Sequence, residues 1–108
     1  MTNDDIDSTY MKIEKNLFKG NDGIIINLDE SRMISPIHLK ENTFSQNIGQ
    51  SMIIRHGLVT DSNSIYEQNI ADGGVGVFIM SNSEYVGTGN IFDLNEASTI
   101  GGAVTVTT

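Results

Sequence analysis

A short pattern that returns at near-fixed intervals constrains this chain more than any other feature. Aligned on an aromatic residue, four segments match: NLFKGNDG (16–23), NTFSQNIG (42–49), SIYEQNIA (64–71) and NIFDLNEA (90–97). The aromatic column is Phe18, Phe44, Tyr66 and Phe92, and three residues on stand Asn21, Asn47, Asn69 and Asn95. Asn16, Asn42, Ser64 and Asn90 precede the aromatic by two, and the small residues Gly23, Gly49, Ala71 and Ala97 follow the Asn by two. Successive aromatics are 26, 22 and 26 residues apart. With seven aromatics and eleven Asn in 108 residues, chance recurrence of the aromatic–Asn spacing is on the order of a few in a thousand, and self-similarity of this kind marks a repeat architecture.

Each repeat carries short apolar segments on both sides of the motif. Upstream are YMKI, PIHL, GLV and EYV; downstream are GIIINL, SMII, VGVFIM and GGAVTV. Runs of this length, bounded by Gly, Asn, Asp and Ser, read as buried strands. Helical periodicity is absent, and only NLDESRMI (27–34) suits a short helical turn. Two or three short strands per unit of 22–26 residues predict an all-β parallel β-helix of about four coils. Equivalent residues would then lie ~4.8 Å apart in ladders. The aromatics would stack inside, the Asn amides would bond from coil to coil at a corner, and the small column would leave room for a sharp turn. The pair Gly101–Gly102 would supply positive φ at the next corner. Residues 1–9 form an acidic segment suited to capping the first coil, and residues 10–108 form the repeat domain. The strand-like GGAVTVTT has no polar cap. The expectation is therefore either a piece of a longer solenoid or a subunit that stacks end to end.

The pairing of F-x-x-N with G-G-A-[ILV], carried here by Phe92, Asn95, Gly101, Gly102, Ala103 and Val104, resembles the repeats of polymorphic outer membrane proteins. Tyr66 and Asn69 with Gly73 and Gly74 form a second, partial match; Phe18/Asn21 and Phe44/Asn47 keep only the first half. The resemblance implies a right-handed parallel β-helix displayed at a cell surface or outside the cell, acting in adhesion or as a scaffold. That family's secretion signal and outer-membrane barrel have no counterpart in this sequence.

Charge and composition narrow the partners. A net charge of -8 repels nucleic-acid backbones and anionic membranes, and no apolar run reaches the ~18 residues of a membrane span. Without cysteine, disulfides and Cys-based zinc sites are excluded. GGVGVFIMS (73–81) begins like a calcium-binding nonapeptide, but Phe78 stands where the Asp ligand belongs. His38 and His56 have no partner at metal-ligand spacing and read as structural. The Thr alternation of VTVTT (104–108) lacks Thr in the preceding repeats, so an ice-binding face is not expected. GTG (87–89) lacks the rest of a dinucleotide fingerprint.

The enzymatic alternative is a carbohydrate-binding or carbohydrate-processing β-helix, which would use exposed carboxylates such as Glu67, Asp72, Asp93 and Glu96. Glu67 and Asp93 share a column with Lys19 and Ser45. The leading expectation is a non-enzymatic structural or adhesive module with no catalytic, cofactor or metal site. Its expected partners are other copies of itself or flanking repeats of a longer chain, with a glycan or a host-surface protein as the ligand.

Overall fold

The structure, a computed structural model, describes residues 11–29, 36–73, 77–79, 83–100 and 102–106. The chain is all-β: among the described residues there is no helix, and every strand pairing is parallel. Three strands come from the first repeat, β1 (Met11–Glu14), β2 (Leu17–Lys19) and β3 (Ile26–Asp29). The second supplies β4 (Ile37–Lys40), β5 (Thr43–Ser45) and the start of β6 (Met52–Ser62). The end of β6 opens the third, followed by β7 (Ile65–Glu67), β8 (Ile70–Gly73) and β9 (Val77–Ile79). The fourth holds β10 (Ser83–Thr88), β11 (Ile91–Asp93), β12 (Glu96–Ile100) and β13 (Val104–Val106).

Strands pair with their equivalents in the next repeat, so four layers stack in register. One sheet runs β2–β5–β7–β11 and aligns Phe18, Phe44, Tyr66 and Phe92 in a single column. Beside it, β1, β4, the second half of β6 and β10 align Ile37 with Val59 and Tyr85. The first half of β6 pairs with β3 and β9, and β9 with β13, aligning Ile26, Met52, Val77 and Val104. β8 and β12 form the remaining pair, extended through the isolated bridges Asp22–Ile48 and Ile48–Ile70.

Alternation places the core. In β4, Ile37 and Leu39 are buried while Lys40 is exposed, the period of two expected when one strand face is covered. Ile37, Leu39, Phe44, Met52, Ile54, Val59, Tyr66 and Val77 form one apolar cluster, with Phe18, Tyr85 and Phe92 packed against it. Successive rings stack with centroids 4.8, 4.7 and 4.6 Å apart, and Phe44 and Tyr66 are within 1° of parallel. These separations match the strand spacing: the main-chain ladder sets the stack, and the stack adds ~0.5–1.5 kcal/mol per pair beyond burial.

The register also explains the uneven period. Nine positions separate Leu28 from Ile37, whereas five separate the equivalent residues Ile54 and Val59. The second connection is too short to leave the sheet, so β6 runs as one 11-residue strand where SMII and GLV suggest two. Two further expectations change. Asn27 to Asp29 belong to β3, not to a helical turn, and positions 30–34 lie outside the described residues. Gly102 does not have positive φ, and Gly101, like the acidic segment 1–9, lies outside the described residues.

Candidate functional site

The left-handed corners sit immediately before the two Asn columns. Lys15, Glu41, Asn63 and Gly89 have φ of 56, 57, 55 and 67°; Gly20, Gln46, Gln68 and Leu94 have 69, 56, 55 and 56°. Most are residues for which this conformation costs ~1–2 kcal/mol. The side chain that follows explains why it persists. A left-handed residue turns the next N–H, and the carbonyl two residues before it, away from the main-chain ladder. The Asn of the following layer supplies both partners.

In the inner column, Asn21, Asn47 and Asn69 donate their backbone N–H to the Oδ1 of Asn47, Asn69 and Asn95 at 2.8, 3.0 and 3.0 Å. Asn47, Asn69 and Asn95 donate Nδ2–H to the carbonyls of Phe18, Phe44 and Tyr66 at 3.0, 3.0 and 2.8 Å. The same amides bond to one another at 3.2, 3.1 and 3.0 Å. Asn47 and Asn69 thus use both donors and both acceptor sites, which is why they can be 1% and 0% exposed.

The second column repeats the device at Asn16, Asn42 and Asn90, with Asn42 donating to the Ile13 carbonyl and Asn90 to that of Asp61, each at 2.9 Å. Ser64 interrupts it. Its hydroxyl accepts from the Asn42 N–H at 3.3 Å and donates to Asp61 Oδ1 at 2.6 Å.

Asp61 is the residue that sequence reasoning missed. It occupies an inward column with Ile13, Leu39 and Gly87 and is 1% exposed. Its other oxygen, Oδ2, accepts from the Tyr66 hydroxyl and, at 2.8 Å, from the Tyr85 hydroxyl one layer on. Asn90 Nδ2 reaches the Tyr85 oxygen at 3.2 Å. Three hydroxyl donors take the place of a cation around the buried carboxylate. Gly87 makes the space: a Cβ there would lie 2.9 Å from Asn90 Nδ2 and 3.0 Å from the Tyr85 ring. Burial first, then the Asp61 charge, pushes the Tyr66 and Tyr85 phenols well above their ordinary value. A sequence signal existed, since Asp61 interrupts an apolar column exactly where Ser64 interrupts the Asn column. With Tyr66 0% exposed, this cluster is closed to substrates and acts inside the core.

Two outward surfaces are accessible. On the β2–β5–β7–β11 sheet, Lys19, Ser45, Glu67 and Asp93 share one column, and Ser45 Oγ donates to Glu67 Oε2 at 3.2 Å. Glu67 and Asp93 are register neighbours, with backbones ~4.8 Å apart. The structure does not bring Glu96 into that column: it aligns with Ile70. The side chain of Asp72 lies outside the described residues. On the β1–β4–β6–β10 sheet, Lys12, His38, Thr60 and Val86 align. His38 Nδ1 and Thr60 Oγ1 are 2.6 Å apart in a shallow groove flanked by Glu14, Lys40 and Ser62. The backbone of His56 aligns with Asp29, apart from His38. Among the described residues no group of three or more His, Cys, Asp or Glu could hold a metal ion.

No protein-family model, no curated protein and no solved structure matches the chain.

Proposed function

We propose that this chain is a structural or adhesive module without catalytic activity, built as a right-handed parallel β-helix of about four coils with 22–26 residues each. The observation that carries the reading is the use of the polar residues. The Asn amides of both columns bond from layer to layer instead of converging on a cavity. Among the described residues, what is left for recognition is outward strand face, with one shallow groove at His38 and Thr60. Right-handed winding follows from the chirality of parallel strand connections. The resemblance to polymorphic outer membrane protein-type repeats supports display at a cell surface or outside the cell, with a glycan or host-surface protein as the ligand. The acidic surface weighs against nucleic acid and membrane insertion as partners.

One observation favours a rival reading, carbohydrate processing. Asp93, exposed, and Glu67, half-buried, are register neighbours on an outward column with backbones ~4.8 Å apart, and a retaining glycosidase uses two neighbouring carboxyl groups. A reducing-sugar assay across acidic and neutral polysaccharides, paired with a glycan array, separates the two. Binding without turnover is the expected result. Turnover that disappears in Asp93→Ala would replace the structural reading with the enzymatic one.

A further inference from the structure

The β1–β4–β6–β10 sheet sets two outward columns side by side. Lys12, His38 and Thr60 align in one; Glu14, Lys40 and Ser62, two positions further along each strand, align in the other. Leu39 stands between them with its side chain buried, so main chain forms the floor of the groove they flank. The groove holds about 260 Å³ and crosses three layers, a length of about 10 Å. Every side chain flanking it is polar, unlike the neighbouring sheet, where Leu17 and Ile91 are 65% and 55% exposed. In the fourth layer Val86 follows Thr60 in the column, and the polar lining ends.

The lining sets the chemistry of a ligand. Two lysines and one glutamate give an excess of one positive charge in a chain whose net charge is -8. A densely charged polyanion meets Glu14 in the groove and the negative charge of the whole molecule. A ligand with one carboxylate per unit meets the exposed Lys40 instead. The Thr60 and Ser62 hydroxyls donate and accept, and Glu14 accepts, so the groove answers ligand hydroxyls as well as charge. The 2.6 Å contact between His38 Nδ1 and Thr60 Oγ1 fixes both half-buried side chains before a ligand arrives, which lowers the ordering cost of binding. The volume lies below the roughly 300–1,000 Å³ of small-molecule pockets, so the groove suits one ring of a longer chain.

We infer that this groove binds a carboxylated sugar ring of an acidic glycan, with Lys40 on the carboxylate and Thr60 and Ser62 on the ring hydroxyls. This rests on the adhesive reading of the chain and names its ligand. Isothermal titration calorimetry on the full chain tests it with an oligogalacturonate, a sialylated oligosaccharide, the neutral methyl ester of each, and an oligoglutamate. The expected result is binding of a carboxylated sugar that weakens with salt and is lost in its methyl ester. The two sugar arms tell a uronic from a sialic carboxylate; binding of either supports the groove, and binding of neither overturns it. Lys40→Glu should weaken binding about fivefold, the upper range for one exposed charge pair. Thr60→Val should weaken it about two- to tenfold, the worth of one hydrogen bond. Lys19→Glu makes the same change of charge on the neighbouring sheet and should alter affinity less than about twofold. Equal losses in Lys19→Glu and Lys40→Glu would replace the site with general charge attraction. Oligoglutamate bound as tightly as the sugars would assign the groove to an acidic peptide and overturn the inference. A neutral glycan bound with no loss in Lys40→Glu or Thr60→Val would remove the groove and leave the adhesive reading standing, whereas turnover of any glycan would overturn that reading itself.

Discussion

An Asn side chain carries the donor and acceptor of a peptide group plus one further N–H, and that likeness decides its use here. At each left-handed corner the main chain leaves one donor and one acceptor unmatched, and an Asn amide answers both from one position. The Ser64 hydroxyl answers the donor, accepting from the Asn42 N–H, and gives its own proton to Asp61 Oδ1. Asn69→Ala removes the partners of the Asn47 N–H and the Phe44 carbonyl, both buried. A loss of about 2–4 kcal/mol is expected in urea denaturation. Leu94 presents the opposite case. It is 72% exposed and has φ of 56°, so it contributes strain and little packing. Leu94→Gly is expected to stabilise by about 0.5–1 kcal/mol, read as a higher thermal midpoint; a lower one would show that the corner is not strained.

Tyr66 and Tyr85 add a pH dependence with a definite sign. Their phenols hold their protons to higher pH in the fold than the ordinary value of about 10. Above that value the unfolded chain releases protons that the folded chain keeps. Their contribution is complete below about pH 10 and declines as pH rises beyond it. Tyr66→Phe should lose about 1–3 kcal/mol at neutral pH and show a shallower alkaline decline, measured as urea midpoints against pH.

Among the elements, the connections between layers vary while the strands keep register. The column of small residues shows how local geometry changes within one repeat. Gly23 and Gly49 have φ of 116 and 118° beside isolated bridges, whereas Ala71 and Ala97 lie opposite each other in β8 and β12. A Cβ on Gly49 would fall 2.6 Å from the Gly23 carbonyl oxygen, while one on Gly23 would meet nothing within 4 Å. Gly49→Ala is therefore expected to destabilise by about 2–4 kcal/mol and clearly more than Gly23→Ala, since both share the backbone strain and only one adds the clash. Equal losses would assign the cost to φ alone. The long β6 strand carries the complementary lesson. Its two apolar halves look like separate strands because Arg55, His56 and Gly57 break the pattern, yet a five-position connection keeps the chain extended.

For the whole molecule, stability is expected to be graded along the stack. Layers bounded on both sides bury their rings and pair both edges of their strands, so amides around Phe44 and Tyr66 should exchange more slowly than those around Phe18 and Phe92. Uniform protection would contradict the layered energetics. What the sequence determined by itself is the stacking. Identical residues at one interval can satisfy one another only if they lie above one another, so the aromatic and Asn columns, the parallel pairing and the shared column of Lys19, Ser45, Glu67 and Asp93 were legible without coordinates. What only the tertiary structure decided is how each layer turns and what occupies its interior. The corner residues Lys15, Glu41, Gln46, Gln68 and Leu94 have no common side chain to read, because their conformation is imposed by the Asn ladder that follows them. Asp61 has no role that its neighbours in the sequence announce, and it gains one where two tyrosines from different layers meet on it. That meeting joins residues 24 positions apart, and only the fold sets the distance between them.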